Sequence, residues 1–194
     1  TRKFKKRRVM VFNVDDIWSA DLTNSFQSIS SSNMNFKYML NVIDLFSKYA
    51  YSIPLKNKSS ESIINAFNTL FKSKKPKKLW TDQGTEFTNN KFKHFLDNHN
   101  VELYHVYNEG KVCVIERFNR TLGEMIQKHL TSTNSSKYIN ILQDLIDQYN
   151  NKYHSSIKMT PIEALENKSQ VFKNLYRNNK KDIASSKFKL GDRV

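Results

Sequence analysis

Strand-forming clusters fill the first third of the chain, and a helical period takes over afterwards. Ile17–Thr23 reads as a short strand. Residues 36–46 and 49–55 are rich in strand formers, and Ser47-Lys48 between them suits a tight hairpin. The stretch 24–35 is polar and Ser-rich, which predicts a loop. Ser59 or Ser60 then caps a helix with Glu61 in its first turn and Ile63, Ile64, Phe67, Leu70 and Phe71 on one face. A basic segment around Pro76 closes it. Strand Lys78–Thr81 follows, then a helix starting at Asn89 through Phe92, Phe95 and Leu96, and a strand over 101–106. The longest helix is predicted over 112–131, with Val112, Ile115, Phe118, Leu122, Met125, Ile126 and Leu130 as its buried stripe. Another spans 137–151, burying Tyr138, Leu142, Leu145 and Tyr149. Thr160-Pro161-Ile162-Glu163 has the N-cap, the proline and the closing glutamate of a capping box.

Three strands, helix, strand, helix, strand and then helices predict an α/β fold: a mixed five-stranded sheet flanked by helices, antiparallel in its first hairpins. The 194 residues and 38% hydrophobic content support one domain with a full core. Lys and Arg outnumber Asp and Glu by 32 to 18, a net charge of +14, which points to a polyanion and first to nucleic acid. Cys113 is the single cysteine, so the chain has no disulfide framework and no cysteine-based zinc site, as suits a reducing compartment. No apolar run is long enough to span a membrane, and the basic N-terminus has no signal-peptide core behind it. The expected organisation is a basic arm over 1–14, a catalytic core over 15–180, and over 181–194 a linker with the start of a further module. A start at Thr1 and an end at Val194, where a new strand begins, suggest a piece of something longer.

Three carboxylates stand in settings that carry chemistry: Asp21 in Trp18-Ser-Ala-Asp21-Leu, Asp82 in Trp80-Thr-Asp82-Gln-Gly84, and Glu116 in Ile115-Glu116-Arg117-Phe118-Asn119-Arg120. An acid inside an apolar strand is costly unless it faces a cleft or a ligand. Two Mg²⁺ ions held by a few carboxylates can stabilise both the attacking and the leaving oxygen of a phosphodiester. Without metal the acids would repel one another, so divalent cations should stabilise the domain. Asn119, Arg120, Gly123 and Gln127 share the Glu116 face at helical spacing, and Lys111 precedes that helix. Asp15, Asp16, Asp97, Asp144 and Glu166 read as ordinary caps or surface acids. Asp44 reads as a hairpin residue or a supporting partner, Cys113 as a small buried hydrophobe, and the five histidines as surface or hydrogen-bonding groups. Trp18, Phe67, Phe92 and Tyr149 follow core periodicity, so they are assigned to packing.

These motifs, in order from Ile17 to Glu163, resemble the catalytic core of the integrase superfamily, the retroviral and retrotransposon integrases with their RNase H-like fold. The segments 40–49, 80–87, 109–121 and 149–163 carry the resemblance. It implies that Asp21, Asp82 and Glu116 are the catalytic and metal-binding triad, Asp21 shared by two Mg²⁺ ions (Mn²⁺ substituting) and the others holding one each. It further implies DNA contacts by Lys111, Asn119 and Arg120, a mobile loop over 107–110, a nearby Glu86, and a small C-terminal barrel opening at 188–194. Gly123 departs from the lysine common in such sequences. The 33 residues between Asp82 and Glu116 look most like the integrases of Maverick/Polinton elements and virophages. The implied activity is processing of element DNA 3′ ends and their joining to target DNA, by a core that pairs as a homodimer. The host nucleus would be its place of action, with a virion as a second destination. An RNase H-type nuclease and a domesticated, inactive DNA-binding protein are the competing expectations.

Overall fold

β1 (Ile17–Thr23) pairs antiparallel with β2 (Tyr38–Asp44), which pairs antiparallel with β3 (Ala50–Leu55). On its other side β1 runs parallel to β4 (Lys78–Thr81), and β4 runs parallel to β5 (Glu102–His105). The sheet order is therefore β3-β2-β1-β4-β5, the mixed five-stranded sheet expected from the sequence. This computed structural model describes residues 9–105 and 113–176. The arm over 1–8, Lys111, Val112, the loop over 107–110 and the segment 177–194 lie outside the described residues.

Strand alternation divides the core in two. Trp18, Ala20, Leu40, Val42 and Leu79 point to the side covered by α1 (Ser60–Phe71), the short α2 (Thr85–Thr88) and α3 (Asn90–Asn98). Ile17, Met39 and Ile43 point to the side covered by α4 (Cys113–Thr133) and α5 (Leu142–Asn150). Trp18, Phe67 and Phe92 are fully buried, each worth roughly 1.5–3 kcal/mol of burial. Phe118 of α4 meets the Tyr149 ring of α5 edge-on at 4.8 Å, so these aromatics are packing residues as predicted. Asn150, at the end of α5, accepts from Ala50 N and donates to Ala50 O, both at 2.9 Å. That amide pair fixes α5 to the edge strand β3.

Ser59 and Asn89 cap α1 and α3 through their side chains, and Thr160 with Glu163 closes the expected capping box on α6 (Pro161–Ala164), which precedes α7 (Lys168–Tyr176). Three local expectations need correcting. The stretch 24–35 holds a 3₁₀ helix, Gln27–Asn33, because the buried Asn33 amide donates to Ile29 O and Ser136 O and accepts from Tyr138 N and Ile139 N. The helix expected over 137–151 is a 3₁₀ turn, Ile139–Ile141, followed by α5. Cys113 is exposed at the start of α4, outside the buried stripe of Ile115, Phe118, Leu122 and Ile126.

Candidate active site

β1 and β4 stay paired only as far as Ser19 and Trp80. Asp21 lies two residues further along β1, and Asp82 two residues beyond Trp80, just past the end of β4. Both acids thus reach the carboxyl ends of adjacent parallel strands, where open α/β sheets form their binding crevices. Asp21 shares strand parity with Ile17, so it faces the α4 side of the sheet. Glu116 sits in the first turn of α4.

Asp21 senses the other two acids. Burial pushes the Asp21 carboxyl above the usual carboxylate range, the Asp82 and Glu116 charges push in the same direction, and hydrogen bonds from Leu22 N and Asn119 pull against them. Among the described residues no three His, Cys, Asp or Glu side chains form a ready-made metal cage. The donor set nevertheless fits a hard divalent cation: all its atoms are carboxylate oxygens, and mutual repulsion is the property a cation relieves.

A row of polar side chains holds Asp21. Asn119 donates from its amide to Asp21 Oδ2 at 2.6 Å, Asn41 donates to Asn119 Oδ1 at 2.8 Å, and Ser52 Oγ donates to Asn41 Oδ1 at 2.6 Å. Asp21, Asn41 and Ser52 are direct cross-strand neighbours on β1, β2 and β3. The row has a fixed polarity: an ionised carboxylate only accepts, so Asn119 must turn its NH₂ towards Asp21 and its oxygen towards Asn41. Sequence reasoning missed Asn41 and Ser52. Their one signal was a polar residue at matching parity in three strands, and that requires the register. Asn41→Leu should weaken divalent-cation binding at Asp21 by about tenfold. Calorimetric titration with Mg²⁺ checks this, and an unchanged affinity would remove Asn41 from the site.

Asp82 is set by its loop. Its Oδ1 accepts from Gly84 N at 3.0 Å, while His105 Nδ1 lies 3.1 Å from both Asp82 O and Thr81 Oγ1. Thr81 Oγ1 also donates to Asp82 O, so a proton on His105 Nδ1 satisfies both contacts. A Cβ at Gly84 would fall 2.7 Å from Glu86 Cδ, the far end of a flexible side chain that can move aside, so the turn does not strictly require glycine. Asn119 is committed to Asp21. Arg120 is exposed and only 3.9 Å from Glu124, a surface pair on the outer side of α4. A Cβ at Gly123 would meet nothing within 4 Å, so the fold does not require glycine there.

Residues 13–106 match the family model described as integrase core domain. The chain is 28% identical over 134 residues to a transposon-derived protein of Caenorhabditis elegans, covering 68% of this chain and 47% of that protein. It is 29% identical over 135 residues to the Pro-Pol polyprotein of feline foamy virus, covering 67% of this chain and 11% of the polyprotein. The chain therefore spans about half or less of these relatives. Among solved structures it is similar to the HTLV-2 integrase catalytic core domain in complex with magnesium (trimeric form), with a TM-score of 0.65 and 19% identity over 78% of this chain and 96% of that one. That likeness establishes the RNase H-like fold of integrase catalytic cores.

Proposed function

We propose, from the match of residues 13–106 to the integrase core domain model and from the fold, that this chain is the catalytic core, over 15–180, of a DNA integrase that processes element 3′ ends and joins them to target DNA. The observation that carries this reading is the meeting of Asp21 and Asp82 at the open ends of two parallel strands, with Glu116 close enough to act on Asp21 electrostatically. Asp21 would be shared between two Mg²⁺ ions (or Mn²⁺), with Asp82 and Glu116 on either side. Such ions, when bound, supply charge stabilisation at the phosphoryl oxygens and favour an ionised nucleophile. The chain's own part is orientation. Asn119, fixed by Asn41 and Ser52, donates to Oδ2 of Asp21 while Leu22 N donates to its Oδ1, and the Gly84 turn with His105 holds Asp82 at the strand end.

Water is the nucleophile for end processing and the freed 3′-hydroxyl the nucleophile for joining, each displacing a DNA 3′ oxygen directly. The basic chain supports phosphate contacts, with Lys111 and Arg120 as candidates. Two DNA ends call for at least a homodimer. Work on chromosomal DNA places the protein in the host nucleus or, before entry, in a virion. The spacing of Asp82 and Glu116 supports the Maverick/Polinton and virophage branch. The testing experiment supplies the chain with labelled branched DNA in Mg²⁺ or Mn²⁺ and resolves the products on a denaturing gel. Metal-dependent joined products are expected. Cleavage of RNA in a hybrid without DNA joining would turn the reading to a nuclease, and inertness of the full-length protein would turn it to a binding protein.

A further inference from the structure

About 100° round α4 from Glu116, Arg117 faces a second cavity, of about 360 Å³, between α4, the β2–β3 turn and the segment after α5. Lys48, Arg117, Lys152, His154, Ser155 and Ser156 line it, and none of its lining residues is a carboxylate. Among the described residues neither Arg117 nor Lys152 has an ion-pair partner. Lys48 is 7% exposed, and its φ of 65° is a left-handed backbone that glycine or asparagine would occupy at lower cost. Its ammonium donates to Leu45 O, and the first of the two groups that favour its charge, ahead of Cys113, is Asp44, whose oxygens already accept from Phe46, Ser47 and Asp15. Burial lowers the Lys48 ammonium to about 8, and burial with the Lys48 and Arg117 charges lowers the His154 imidazole to about 4. Positive charge here outweighs its compensation.

We propose that this cavity is an anion site that holds one phosphate group, supplied by the backbone of a nucleic-acid strand. The Ser156 hydroxyl lies 3.1 Å from His154 Nδ1, and beyond it two ammonium groups, a guanidinium and the Ser155 hydroxyl, brought from three parts of the chain, present more donors than the two oxygens of a carboxylate can fill. A phosphate offers more oxygens and more charge. Two observations favour a strand as the source. Arg117 follows Glu116 on one helix, so a phosphate held here has a fixed distance to the active site. Tyr153 also lines the cavity, with 64% of its surface exposed, and offers a stacking face for the neighbouring base. The choice of nucleic acid rests on the integrase reading; the phosphate site itself does not.

The test titrates the chain in EDTA with inorganic phosphate, followed by calorimetry, and with a fluorescent single-stranded oligonucleotide, followed by anisotropy. The variants are Arg117→Gln/Lys152→Gln, both exposed positions, and a charge-matched control on α7, Lys168→Gln/Lys173→Gln. The cavity pair should weaken oligonucleotide binding by at least about tenfold and abolish phosphate binding, with the control close to the parent. Loss of oligonucleotide binding alone also supports the proposal and assigns the site to a strand. Loss of phosphate binding alone overturns the nucleic-acid source and leaves a site for free phosphate. Equal losses in cavity pair and control, or none, overturn the site. EDTA silences metal-dependent chemistry, so failure here leaves the integrase reading standing, and failure of joining leaves this site standing.

Discussion

Asp21→Asn is expected to lower DNA joining by at least about 10³-fold and, in the absence of metal, to raise the melting temperature. The first effect follows from several kcal/mol of transition-state charge stabilisation that a metal ligand makes possible. The second follows from the Asp21 environment. A carboxyl whose folded pKa is raised carries a cost that is fully present above the folded pKa and disappears as pH falls through it. For Asp21 the causes are burial first, then the Asp82 and Glu116 charges. At neutral pH the amide removes this cost and still accepts from Asn119 through its oxygen, while its NH₂ turns towards Leu22 N–H and offsets part of the gain. The gain should be about 0.5–2 kcal/mol, at roughly 2–4 °C per kcal/mol for a chain of this size. Mg²⁺ should raise the melting temperature of the parent and not that of the variant, because ligand binding to the folded state alone is what stabilises it. Scanning calorimetry with and without Mg²⁺, beside the joining assay, checks both signs. A variant that melts lower than the parent without metal, or that keeps activity within tenfold, would separate Asp21 from the metal site.

The sequence carried the positions of the candidate acids better than it carried the groups that surround them. Asp21 was legible because an acid between Ala20 and Leu22 contradicts its strand, and Asp82 because it ends a short strand before a turn. The packing roles of Trp18, Phe67, Phe92 and Tyr149 were legible because periodicity alone decides which face is apolar. Asn41 and Ser52 were not, because their meaning depends on a register that places them opposite Asp21. Helical spacing put Asn119 on the Glu116 face but did not show that its amide is spent on Asp21. The Asn33 side chain, which organises a 3₁₀ helix by binding backbone about a hundred residues away, has no local signal at all. Cys113 misled because average burial says little about the first residue of a helix.

Asp44→Ala should destabilise the domain by about 3–5 kcal/mol, a far larger effect than its catalytic one. Asp44 is 2% exposed. Its Oδ1 accepts from Phe46 N, Ser47 N and Ser47 Oγ, and its Oδ2 accepts from Asp15 N at 2.8 Å. Removing the carboxylate strands the buried N–H groups of Phe46 and Ser47, where water cannot replace the lost acceptor, leaves the half-buried Asp15 N–H without its partner, and removes the main charge that favours the Lys48 ammonium. It also loosens the tie between the β2–β3 turn and the entry to β1, so the strand that carries Asp21 loses an anchor at its start. Asp44→Asn keeps one good acceptor but turns an NH₂ towards a donor, so it should fall between alanine and the parent. Urea melts of the three proteins give that order, and the midpoint of Asp44→Ala should drop at unchanged slope. Joining measured well below the melting transition separates support from chemistry. If Asp44→Asn joins DNA at the parental rate, Asp44 acts only through the turn. A variant that is as stable as the parent yet inactive would instead place Asp44 among the groups that act on the reaction.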